Sequence, residues 1–280
     1  MNIDNFKHNI EKKASEESII KCNDVTLVYH LWVPKTIQES YSFVYDLHLK
    51  NLKCYSSIFN HSIFVLACDD ISDNERILKI ERDILNCGYN KNVSFIVEEN
   101  NSLLREAQTV KKHIIDSNIH GLVFFAHSKG ITNFDTEKHF ESKIDRDSII
   151  EWICSMYYFN LSQFSNVFEM LSIRKCYGMF CKKGIPDCKY DWCYEGSFYW
   201  LNIDEVRNKA KEILCSNRCY AENLLGNLFE FDFATISSWR NIYFRYNKTL
   251  YEECDNILKT ITIENDIKIF YEYQKMIISS

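Results

Sequence analysis

A chain of 280 residues can bury a large core, and its 46% hydrophobic and 26% charged composition is that of an ordinary globular protein. A net charge of −6 argues against a general nucleic-acid binder, although a local basic patch can still hold one phosphate ligand. Two prolines and seven glycines leave little room for long disordered linkers.

The opening residues, Met1 to Lys7, carry no apolar signal core, and no later run approaches the ~20 apolar residues of a membrane span. A cytoplasmic, reducing location is therefore expected, with most of the twelve cysteines as thiols. The best metal-like spacing is Cys176, Cys181, Cys188 and Cys193, but it lacks the tight Cys-x-x-Cys knuckle that zinc favours.

Residues 5–20 read as a polar helix, a peripheral N-terminal arm. Residues 24–32, rich in β-branched and aromatic side chains, predict a strand ending near His30. Helical intervals of apolar residues cover 40–57, and a second strand spans 61–68, ending in Asp69 and Asp70. A charged helix over 74–87, a strand over 93–97, a helix over 102–117 with Ser102 as N-cap, and a strand over 121–126 follow. Strand and helix thus alternate four times, which predicts an α/β fold around a mostly parallel sheet flanked by helices. Helices near 147–159, 161–171 and 203–215 and a helical tail over 247–278 make up a less regular second half. The expected division is a helical arm over 1–22, a catalytic domain over 23–245 and C-terminal packing helices over 246–280.

The stretch Gly121-Leu-Val-Phe-Phe-Ala-His-Ser-Lys-Gly130 is the most informative. It reads as a buried strand delivering His127, Ser128 and Lys129 to its carboxyl end, where open α/β sheets bind ligands. Lysine there can neutralise a phosphate, and histidine and serine can donate hydrogen bonds.

Four features in this order resemble glycosyltransferases of the GT-A type found in polysaccharide and surface-glycan gene sets. They are Tyr29-His30, Ala126-His127-Ser128-Lys129-Gly130, Glu195-Gly196-Ser197-Phe198-Tyr199-Trp200 and Ala221-Glu222. The resemblance covers about residues 25–230. It departs from the family's usual His-Thr-Lys-Gly and Ser-Gly-Asn-like runs at Ser128 and at Glu195-Gly196-Ser197. A fainter likeness, in length and style of composition, is to capsid-glycan transferases of large algal viruses.

The resemblance implies a GT-A-like fold and a nucleotide-sugar donor, UDP foremost and UDP-xylose among the candidates, with a glycan or glycoconjugate acceptor. The donor half would span about 23–130 and the acceptor half about 131–245. Tyr29, His30, Leu31, Asp69 and Asp70 would lie by the base and ribose, and Arg105, His127, Ser128 and Lys129 by the diphosphate. The Asp-x-Asp metal clasp of many such enzymes falls by chain order at 127–129, where there is no acid, so metal-independent chemistry is favoured over Mn²⁺ or Mg²⁺. Asp69-Asp70 is the fallback ligand pair.

An inverting transfer needs one general base. Glu222 fits by order, with Asp191 and Glu195 as rivals. Gly196, Ser197, Phe198, Tyr199 and Trp200 would contact the acceptor, the three rings as a sugar platform. Two other readings stand beside this one. The spacing from His127 to Cys181 resembles the His–Cys order of caspase-like proteases, and a non-catalytic nucleotide-sugar-binding scaffold would keep the same sheet.

Overall fold

The computed structural model describes residues 2–16, 24–37, 39–89, 92–128, 146–162, 164–179, 181–183, 188–194, 196–216, 219–230, 233–235 and 262–280. Its strands are β1 (Val25–Val33), β2 (His61–Cys68), β3 (Val93–Glu99), β4 (Leu122–His127), β5 (Cys176–Gly178), β6 (Cys181–Lys183), β7 (Trp192–Tyr194), β8 (Tyr199–Asn202) and β9 (Phe233–Thr235). The helices are α1 (Ile3–Glu16), α2 (Glu39–Tyr55), α3 (Asn74–Asn86), α4 (Glu106–Thr109, continuing as a π turn over Val110–Ile115) and α5 (Arg146–Leu161). After them come α6 (Phe164–Ile173), α7 (Ile203–Lys211), α8 (Tyr220–Leu228) and α9 (Thr262–Ser279).

Seven strands form one sheet in the order β3-β2-β1-β4-β8-β5-β9, and β6 and β7 form a separate hairpin pair. The four β1 to β4 strands run parallel, as expected for the alternating first half. β8 enters antiparallel to both β4 and β5, and β9 runs parallel to β5. This is the Rossmann-type α/β sheet, mostly parallel and flanked by helices, that the strand-helix alternation predicts.

Helices cover both sheet faces, which is why β1 and β4 are apolar on both sides rather than alternating. On one face Tyr29, Leu31, Phe124 and Trp200 pack under α1, α2, α3, α5, α6 and α9. On the other Val28, Val123, Phe125, Tyr199 and Leu201 pack under α4, α7 and α8. The terminal helices meet within the first layer, where the Phe6 ring lies 5.0 Å from that of Tyr273 and 5.9 Å from that of Tyr55. α3 shows the local logic. Asp73 caps it by accepting from the Arg76 N–H at 3.1 Å, and Ile77, Ile80 and Ile84 form its buried stripe.

The structure departs from the sequence reading in three places. β1 continues past His30 to Val33 because β2 pairs with it along that whole length. The helix expected from Ser102 opens at Glu106 instead. Asn101 Oδ1 accepts from the Leu103 and Leu104 N–H groups, forming a turn, and Arg105 then takes a left-handed φ of 47° before the helix. Tyr199 and Trp200, expected to contact the acceptor, belong instead to the β8 strand inside the sheet.

Candidate functional site

The chain builds β1, β2 and β3 outward, then returns to place β4 on the other side of β1. Such a reversal leaves a crevice at the carboxyl ends of the two central strands, the usual ligand position in open α/β sheets. His30 and His127 are register partners there, one on each strand. Ser128 stitches the strands together: its N–H donates to the His30 carbonyl at 3.0 Å, and its hydroxyl accepts from the Trp32 N–H at 3.1 Å.

Both imidazoles project toward the layer containing α4 and α8. His30 Nδ1 lies 2.8 Å from Thr109 Oγ1 at the end of α4. Burial pushes the His30 pKa down to about 4, with the Glu106 carboxylate opposing the shift and His127 adding to it. The folded state therefore holds a neutral imidazole where the unfolded chain, with its ordinary value of 6.5, takes up a proton. Stability from this group is fully present above pH 6.5 and is expected to drop by ~3 kcal/mol as the pH falls toward 4. Urea titrations of wild type and His30→Gln across that window check this; equal pH slopes would clear His30 as the source.

The backbone of Gly196 joins the two remaining polar groups. Its carbonyl, which can only accept, takes the His127 Nε2–H at 2.8 Å, so that nitrogen carries the proton. Its N–H donates to Glu222 Oε1 at 3.2 Å. Gly196 has a φ of +90°, and a Cβ there would come within 2.9 Å of Met156 Sδ. Glu222 sits in the first turn of α8, where the helix dipole favours a carboxylate. The wholly buried Tyr199 hydroxyl lies in the field of Tyr220, Glu222 and Glu106, and burial above all raises its pKa well beyond 10. His30, Thr109, Glu106, His127, Gly196 and Glu222 thus form a polar seam between sheet and helices. Glu106, Thr109 and Tyr220 are absent from the sequence reading, because no motif marks them. The one available signal was a carboxylate beside Arg105 at a helix start.

Several expected site residues lie elsewhere. Tyr29 and Leu31 point to the opposite sheet face and are 1% and 2% exposed, so they pack the core and do not line a nucleotide site. Tyr29 instead accepts from the Tyr157 hydroxyl at 3.2 Å. Phe198, Tyr199 and Trp200 are buried too, and their rings pack against Phe124, Phe125, Tyr157 and Phe168. Both faces of each strand are covered, so these rings cannot serve as a sugar platform. Ser197, at φ 54°, is wholly buried as well. Asp191 sits exposed in a turn at φ 61°, and Arg105 is exposed at the start of α4. Lys129 and Glu195 lie outside the described residues.

Asp69 and Asp70 are committed to the protein itself. Asp69 accepts from Trp32 Nε1 at 3.0 Å and Asn100 Nδ2 at 2.7 Å, tying the end of β1 to the segment after β3. Asp70 accepts from the Ser72 hydroxyl at 2.6 Å and its N–H at 3.0 Å, and these bonds lower its pKa. A hard divalent ion needs several converging oxygens, which this pair does not present. Among the described residues no group of three or more His, Cys, Asp or Glu side chains is arranged to hold a metal ion. Cys181, the nucleophile of the protease alternative, opens β6 as the register partner of Tyr194, outside the seven-stranded sheet.

No protein-family model matches the chain, and no curated protein matches it. Among solved structures it is similar to 4-diphosphocytidyl-2C-methyl-D-erythritol synthase from Anaerococcus prevotii. That similarity has 10% identity and a TM-score of 0.42 and covers 93% of this chain and 100% of the other. Among the described residues no helix is long and apolar enough to cross a membrane.

Proposed function

We propose that the protein is a glycosyltransferase that moves a sugar from a nucleotide-sugar donor, UDP-linked and with xylose among the candidate sugars, to a glycan or glycoconjugate acceptor with inversion. The observation that carries this reading is the Gly196 bridge between His127 and Glu222 at the reversal of the sheet. It links three stretches that lie far apart in the chain. A carboxylate held at a helix start can take the proton of an acceptor hydroxyl as that oxygen attacks the anomeric carbon. Glu222 has that role in this proposal. His127, with Nε2–H fixed by the Gly196 carbonyl, keeps its ring oriented at the end of β4, and Lys129, two residues on, meets the departing diphosphate. No metal step is invoked, because Asp69 and Asp70 are engaged by Trp32, Asn100 and Ser72.

A thermal-shift screen of the full chain against UDP, GDP, CMP and their sugars, with and without EDTA, tests the proposal. A ligand that binds only the folded state raises the melting temperature by mass action. One nucleotide family is expected to shift it, and the shift should survive EDTA. Lys129→Ala is expected to weaken that nucleotide by about 1–3 kcal/mol, as for a charge-assisted contact. No shift with any nucleotide would end the transferase reading.

A further inference from the structure

Strand β3 is the last strand on its side of the sheet. The Asn92 carbonyl accepts from the Ser62 N–H at 3.0 Å, and the Asn100 N–H donates to the Cys68 carbonyl at 2.8 Å, so the even-numbered residues of β3 bond to β2. Val93, Phe95, Val97 and Glu99 turn their N–H and C=O groups the other way, where no further strand lies among the described residues. β3 contains neither proline nor lysine, the residues with which edge strands commonly block pairing.

The same edge is apolar. The Phe95 ring packs 5.8 Å from that of Phe64 in the layer under α3, and Val97 shares its strand face yet is 41% exposed. Helix α3 therefore covers β3 only in part. Its flank with Asp83 and Cys87 meets α2, where Asp83 accepts from the Tyr45 hydroxyl at 3.3 Å and the Cys87 thiol donates to the Leu49 carbonyl at 3.5 Å. The opposite flank carries Leu78 and Leu85, 56% and 36% exposed, and overhangs the open edge of β3. Glu81 and Arg82 lie between these leucines in the chain. Neither is in an ion pair among the described residues, whereas Lys79 and Asp83 pair at 2.6 Å.

We propose that two copies of this chain associate through this edge, β3 antiparallel to β3 about a two-fold axis perpendicular to the sheet. Such an axis keeps both α3 helices on one side and runs them antiparallel, so each surface meets itself. Pairing Phe95 with its own copy sets Val93 against Val97 of the second copy, and these are the residues with outward backbone groups. Setting Leu78 against Leu85 of the second copy brings Glu81 against Arg82, because both pairs are centred between residues 81 and 82. Helix and strand each span about 20 Å, so a single axis passes near the middle of both. A strand from an unrelated protein would find the same hydrogen-bonding edge but not this reciprocal charge match, which favours a second copy as the occupant.

Sedimentation equilibrium of the full chain tests the assignment, and a reversible dimer is expected at micromolar concentration. Val97→Lys, at an exposed edge position, is expected to give a monomer with an unchanged melting temperature. Arg82→Glu sets carboxylate against carboxylate and is expected to weaken association at least about tenfold. Exchanging both charges, Glu81→Arg with Arg82→Glu, restores opposite pairs and is expected to recover wild-type association. A wild-type chain that stays monomeric at ~100 µM, a dimer that survives Val97→Lys, or a double variant no tighter than Arg82→Glu would overturn the proposal. No nucleotide or sugar enters these measurements, so the outcome does not depend on the transferase reading.

Discussion

Glu222→Gln is expected to leave nucleotide binding intact and to cut sugar transfer by about 10²–10⁴-fold, the usual contribution of a positioned general base. The physical reason lies in the bridge. Glutamine keeps an oxygen that can accept the Gly196 N–H, now at 3.2 Å from Glu222 Oε1. The Gly196 carbonyl then stays on His127, and the ring keeps its orientation. What glutamine cannot do is take a proton. Glu222→Ala differs, because it removes the acceptor as well and should disturb both turnover and binding. Steady-state turnover together with the nucleotide dissociation constant separates the two effects. Full turnover in Glu222→Gln would transfer the role of base to Asp191 or Glu195.

Gly226→Ala is expected to destabilise the fold at or above the upper end of the ~1–3 kcal/mol typical of overpacking. A Cβ at Gly226 would sit 1.7 Å from the Trp192 carbonyl oxygen and 2.8 Å from its carbon. These are backbone atoms of β7, so no side-chain rotation relieves the clash. The contact is also locked from both sides: the Tyr190 N–H donates to the Gly226 carbonyl at 3.0 Å, and Trp192 Nε1 donates to Phe229 O at 2.7 Å. Pushing α8 away from β7 would also carry Glu222 with it, one turn earlier on the same helix. Denaturant unfolding measures the loss. A variant with the wild-type midpoint would mean that helix and strand are not held this close.

The first half of the fold is legible because its strands are short apolar runs closed by Asp69-Asp70 or by His127-Ser128, with amphipathic helices between them. β8 is not, because four residues after Gly196-Ser197 are too few to show a period and the preceding glycine suggests a loop. The aromatic residues mislead for a chemical reason. The side chains that stack on sugars also fill cores, and a sheet covered on both faces leaves no exposed side for Tyr29, Phe198 or Trp200. His127, Gly196 and Glu222 stand out one by one in the chain, but their connection through the backbone of a single residue depends on tertiary placement. Thr109 and Glu106 have ordinary surroundings in the sequence and become visible only from the burial of His30.

The place of β8 in the sheet has a consequence for synthesis on the ribosome. β4 is complete at His127, yet the strand that covers its outer edge begins at Tyr199, some seventy residues later. β5 likewise has no sheet neighbour until the same four residues emerge. The nascent chain therefore carries an open strand edge, apolar up to His127, while α5 and α6 are being made, the kind of surface on which chains pair wrongly. Closing it depends on one short segment, and that segment begins two residues after the tight turn at Gly196 and Ser197 that also places the bridge to Glu222.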